Sequence, residues 1–127
     1  MNRPRLQAVQ PVLPSRDVKA SIEFYVSRLG FELAFADSPT EPRYAGLRRD
    51  GVEIHLQWHD PEKWDRVERP SLRFVVPDVE LLFEEYRDQV VFHEGTALRD
   101  TEWGTREFAF FDSDSNGLTF YCDREQP

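Results

Sequence analysis

The sequence carries one short pattern twice, and a chain that repeats itself is confined to folds built from two like halves. Asp17-Val18 opens a stretch running through Ile22-Glu23-Phe24-Tyr25, and at an offset of 61 residues Asp78-Val79 opens one running through Phe83-Glu84-Glu85-Tyr86. The same offset pairs Leu29 with Val90 and Phe31 with Phe92. In each copy a short strand precedes the aspartate. A glycine-containing turn comes later, at Asp50-Gly51 and Asn116-Gly117, and leads into an alternating strand.

Each copy opens with a helix. Val18, Ile22, Tyr25, Val26 and Leu29 recur on one face of a 3.6-residue period. Asp17 stands where an N-cap belongs, and Gly30 can take the left-handed conformation that ends a helix. The second helix has Asp78 as its cap, with Val79, Leu82, Phe83, Tyr86 and Val90 on its apolar face. Tyr25 and Tyr86 belong to these stripes and read as core.

The strands alternate, which assigns their faces. Residues 52, 54 and 56 are apolar in Val52–Gln57, as are 118, 120 and 122 in Leu118–Cys122. Leu72, Phe74 and Val76 share a side before the second helix, and Val9, Pro11 and Leu13 do so before the first. Further strands are expected at Phe31–Ala36, Arg43–Arg49, Val90–Phe92 and Arg106–Phe111, with a proline-broken loop at 37–42. The helices are the available cover for the apolar faces. The opposite face is semi-polar, carrying Gln10, Glu53, His55, Gln57, Ser71, Arg73, Thr119 and Tyr121. The expected fold is therefore α+β: two βαβββ modules forming a curved mixed sheet, a cup, with the helices on its outer face. Residues 1–127 read as one domain, with module one at about 7–58, a polar linker at 59–70 and module two at about 71–123. Trp64 is an unusual residue for such a linker.

Composition narrows the function. The net charge of −8 repels phosphate backbones, so no nucleic-acid partner is expected. With no apolar run near the length of a membrane span, no membrane partner is expected either, and the protein reads as cytoplasmic. A single cysteine, Cys122, excludes a disulfide framework and reads as an inert core thiol. His59 and His93 stand alone in turns and read as solvated. No Ser-His-Asp or Cys-His constellation and no glycine-rich phosphate loop is present, so no catalytic residue is assigned. Glu53 and His55 share a face and form at most a weak acid–base pair.

Several blocks resemble the vicinal-oxygen-chelate superfamily of glyoxalases, bleomycin-resistance proteins and extradiol dioxygenases. They are Pro11-Val12-Leu13 with Arg16-Asp17-Val18, Glu23-Phe24, and Arg28-Leu29-Gly30-Phe31. Trp103-Gly104, Arg106-Glu107-Phe108-Ala109, Asp112 and Asn116 extend the likeness toward the bleomycin-resistance branch. It spans residues 7 to 123. The resemblance implies a homodimer with ligands in the crevices where two chains meet.

Metal-using relatives hold their ion at four strand positions, which the resemblance carries onto Gln10, His55, Ser71 and Tyr121. No carboxylate stands among them, and Ser71 and Tyr121 are poor ligands for a divalent ion. The expectation is a small-molecule binding and sequestration protein with no metal and no cofactor, connected to antibiotic resistance. The alternative is a metal-dependent lyase, isomerase or dioxygenase using Gln10, His55 and a carboxylate from elsewhere. Expected ligand contacts are Phe35, Tyr44, His55, Gln57, Trp58, Trp64, Arg73, Trp103 and Tyr121. The resistance branch carries an aromatic residue where this chain has Arg73. That leaves two kinds of ligand open, a bleomycin-type drug or a small anion.

Overall fold

A computed structural model describes residues 2–124. Both helices start and stop for the expected reasons. In α1 (Val18–Leu29) the Asp17 carboxylate accepts from the Ala20 N–H at 3.1 Å, and Gly30 ends the helix at φ 78°. In α2 (Val79–Arg87) Asp78 accepts from the Leu81 N–H at 3.0 Å.

Module one adds β1 (Val12–Ser15), β2 (Glu32–Ala36), β3 (Tyr44–Arg49) and β4 (Val52–Trp58), in the sheet order β1-β4-β3-β2. Module two has β5 (Ser71–Val75), β6 (Arg99–Asp100), β7 (Thr105–Phe111) and β8 (Gly117–Asp123), in the order β5-β8-β7-β6. In each, the first strand runs parallel to the last and the other pairs are antiparallel. The architecture is the expected pair of βαβββ modules, and its mixed sheet comes as two four-stranded halves. A 3₁₀ turn at Pro61–Arg66, containing Trp64, occupies the link.

The core joins the halves. Leu13, Ile54 and Leu56 lie against Tyr25 and Leu29 of α1, and Phe108, Phe110, Leu118 and Phe120 against Tyr86 of α2, all in one buried cluster. Each helix tyrosine also serves the other module. Tyr25 donates to Asp112 Oδ2 at 2.7 Å, while Ser21 donates to Asp114 Oδ2 at 2.7 Å and Asn116 Nδ2 to the Pro14 carbonyl at 3.1 Å. Tyr86, 61 residues after Tyr25, donates to the Leu29 carbonyl at 2.9 Å and accepts from Arg49 at 3.1 Å.

Some expectations fail for local reasons. Residues 2–11 form no strand, and Val9 is 87% exposed instead of sharing a buried face with Leu13. Helix α2 ends at Arg87, and the Gln89 N–H turns back onto the Tyr86 carbonyl. Val90 then takes the bend at φ 58°, a costly conformation for a β-branched side chain, and lies exposed rather than on the helix stripe. Residues 90–92 make no strand, although Val91 is buried and Phe92 packs 4.9 Å from Phe83. On α1, Val26 is 40% exposed and Ser21 holds the buried position, bonded to Ser15. Cys122 is half-buried at the edge of a cavity shared with Arg106 and Arg124. His93 is exposed, but its Nε2 accepts from the Phe111 N–H at 2.8 Å. Strand β6, two charged residues, carries no apolar alternation to announce it.

Candidate functional site

The nine expected contacts fall into separate groups. Four belong to the face of module one opposite α1. Strand register sets Gly46 across from His55 and Tyr44 across from Gln57. A bulge between Leu33 and Phe35 brings Phe35 opposite Gly46. A Cβ at Gly46 would overlap the Phe35 ring, so glycine is what lets that ring lie across the sheet. The Phe35 ring stacks on Tyr44 at 6.1 Å, and the edge of His55 meets both, at 5.2 and 5.3 Å.

A polar chain runs beneath these rings. Tyr44 Oη lies 2.7 Å from His55 Nδ1, and His55 Nε2 lies 2.8 Å from Glu53 Oε2. Arg48 closes the chain on Glu53 at 2.7 Å. The bonds from His55 and then Arg48 hold the Glu53 carboxyl below the usual glutamate range. Adjacency in β4 shows Glu53 and His55 from sequence, but only strand register adds Tyr44.

Trp58 and Trp64 form a second group, away from this face. Strand β4 points Ile54, Leu56 and Trp58 to one side, so Trp58 lies on the helix side, partly buried against the core. Its ring stacks on the Arg43 guanidinium at 4.2 Å, and its Nε1–H donates to the Arg16 carbonyl. Trp64 lies between the guanidinium groups of Arg16 and Arg69, at 4.8 and 5.6 Å. The parity of β4 therefore sets Trp58, expected as a ligand contact, apart from the Phe35, Tyr44, His55 and Gln57 face. Trp103 stands 65% exposed beside Gly104.

Module two supplies the third group. Arg73 stacks over Tyr121 at 4.3 Å and donates to Glu107 at 3.3 Å. Glu107 is buried, accepts from Thr105 Oγ1 at 2.8 Å and lies opposite Tyr121 in register. This carboxylate is the site residue that sequence reasoning passed over. Its signal was its parity with Thr105, opposite to the inward-facing Phe108 and Phe110. Glu107 pairs with Arg73 and also lies 3.9 Å from Arg99, so the Arg73 guanidinium is committed to a buried carboxylate that it shares with a second cation. A cavity of about 560 Å³ between β4 and β5 is lined by Arg48, Glu53, Arg73 and residues 8–11, so the two faces converge there.

The four positions of the metal-using relatives do not fit an ion. Gln10 lies exposed before β1, both nitrogens of His55 are engaged, and Tyr121 carries a guanidinium on its ring. Among the described residues no three His, Cys, Asp or Glu side chains converge as a metal would require.

Two βαβββ modules, each with an aromatic or polar face turned away from its helix, define a protein of the glyoxalase and bleomycin-resistance class. The chain belongs to the glyoxalase/bleomycin resistance protein/dioxygenase superfamily, whose family model matches residues 7–120. It is 30% identical to the bleomycin resistance protein of Geobacillus stearothermophilus, over 91% of this chain and 96% of that one. Among solved structures it is similar to the bleomycin-binding protein of Streptomyces verticillus in complex with copper(II)-bleomycin. That likeness has a TM-score of 0.73 and 25% identity, covering 98% of this chain and 100% of the other. The bleomycin resistance determinant of transposon Tn5 shares the fold at a TM-score of 0.74 and 19% identity, over 96% and 100% of the two chains.

Proposed function

We propose that this protein binds and sequesters a bleomycin-type antibiotic without a metal, in grooves between the two chains of a homodimer. The observation that carries the reading is the Phe35–Tyr44–His55 platform. Phe35 is 43% exposed, and Tyr44 and His55 are partly buried beside it, on a sheet face that no helix covers. Stacking on such a platform supplies affinity without bond-making chemistry, which is all that sequestration needs. Pairing of Arg73 with Glu107 weakens the case for a small anion. The chain's net charge of −8 favours a cationic drug through a field that salt screens.

Copper-free bleomycin at a hundredfold excess over Kd should stabilise the protein by about 2.7 kcal/mol, read as a rise in its urea midpoint. The gain should shrink as salt is added. An unchanged midpoint in saturating drug would refute the reading, and stabilisation by small carboxylates instead would restore the anion.

The homodimer draws support from surface that a lone chain leaves exposed. Strand β5 is a sheet edge with Val75 72% exposed, and the extended residues 2–11 present Leu6 and Val9 at 97% and 87%. An open edge beside exposed apolar side chains is a pairing surface. Sedimentation at micromolar concentration should show twice the 15.0 kDa chain mass, and a stable monomer would remove the two-chain groove.

A further inference from the structure

The hydrogen-bond chain under the aromatic platform has a direction, and that direction selects a ligand group. Glu53 is held as a carboxylate by Arg48 and His55 and can only accept. The His55 proton therefore sits on Nε2, facing Glu53. In the neutral ring Nδ1 is then an acceptor, so the hydroxyl at 2.7 Å must be the donor. With the ring neutral, Tyr44 spends its only proton on His55. No protein group among the described residues donates to Tyr44 Oη, and its remaining lone-pair capacity can only accept. Beside it stands the Phe35 ring, 43% exposed and stacked with Tyr44, offering a π face to a cation. Arg48, at the far end of the hydrogen-bond chain, is paired with Glu53 at 2.7 Å.

We propose that Tyr44 Oη and the Phe35 face form a subsite for a protonated alkylamine of the ligand, the ammonium N–H donating to Tyr44. This rests on the sequestration reading and specifies which group of the drug module one holds. A hydroxyl acceptor distinguishes cations that carry N–H from cations of equal charge that do not.

The test uses two copper-free congeners of the drug that differ only in the terminal cation, one an alkylammonium and the other a dimethylsulfonium. Calorimetry on the full-length protein should give about tenfold tighter binding of the ammonium congener, the size of one hydrogen bond to a charged donor. Tyr44→Phe should erase the difference, weakening the ammonium congener more than the sulfonium. Glu53→Gln leaves both Tyr44 and Phe35 in place and serves as the second variant if Tyr44→Phe does not fold. Its amide can donate to His55 Nε2, which moves the ring proton to Nδ1 and turns the Tyr44 hydroxyl outward as a donor, so the preference should fall toward parity. Equal wild-type affinities, or a preference that survives these substitutions, would overturn the subsite. Failure of both congeners to bind wild type would overturn the sequestration reading instead.

Discussion

Asp112→Ala is expected to lower the unfolding free energy by about 3–5 kcal/mol in a urea titration. The Asp112 carboxylate accepts from four donors: Tyr25 Oη at 2.7 Å, Asn116 Nδ2 at 3.0 Å, and the backbone N–H groups of Asp114 and Asn116, each at 2.9 Å. Tyr25, Asp114 and Asn116 are all buried, so water cannot replace the lost acceptor. An unmade bond at a buried donor costs about 1–3 kcal/mol, and the four need not add fully because the turn can shift. A loss below about 1 kcal/mol would show that the turn repacks around the gap.

The same residue has a pH signature. Burial raises the Asp112 carboxyl above its ordinary 3.8 and outweighs the bonds from Tyr25 and Asn116 that pull it down. Between the unfolded and the folded value the native state binds more protons. This group's contribution to stability therefore falls as pH rises through that window and is constant above it. Asp112→Asn cannot titrate, so wild type should lose stability relative to it over that interval. A flat difference between the two would refute the assignment.

The second large effect lies in the aromatic core of module two. Phe108 is 1% exposed, and its ring sits 5.2 Å from Phe83, 5.3 Å from Phe120 and 5.8 Å from Phe92. Phe108→Ala should cost about 3–5 kcal/mol, the lost transfer energy plus the cavity left among rings that cannot collapse together. Phe108→Leu should cost less, because it refills part of that volume. The residue next to Phe108 in β7 is Glu107, so the alanine variant should also weaken ligand affinity through β7. Near-native stability of Phe108→Ala would mean that the neighbouring rings close the gap.

The helix caps and the faces of β4 and β8 were legible because they depend on neighbours in the chain: Asp17 and Asp78 before apolar stripes, Ile54 and Leu56 alternating with Glu53 and His55. Pairing was not legible where it depends on distant residues. Ala8–Leu13 alternates plausibly, yet only Val12–Ser15 pairs with β4 as a strand; the Pro11 carbonyl adds one bond from His55 N–H, and residues 2–10 are exposed. The repeat offset carried the second helix on to Val90, but the turn at Gln89 ended it. For the site, periodicity identified the face that holds His55, Gln57, Arg73 and Tyr121. The partners that set its chemistry, Tyr44 for His55 and Glu107 for Arg73, come from adjacent or distant strands and needed the register.

The contacts that bind β1 and α1 to the Asp112–Asn116 turn join residues 87 to 102 positions apart. Closing a loop of that length comes late, since its entropic cost precedes any reward from the contacts. During synthesis the Tyr25 hydroxyl must wait for its acceptor until Asp112 has left the ribosome. A product truncated before residue 112 would lack those partners and expose the polar groups that mark it as unfinished. These contacts therefore require that the turn between β7 and β8 be in place.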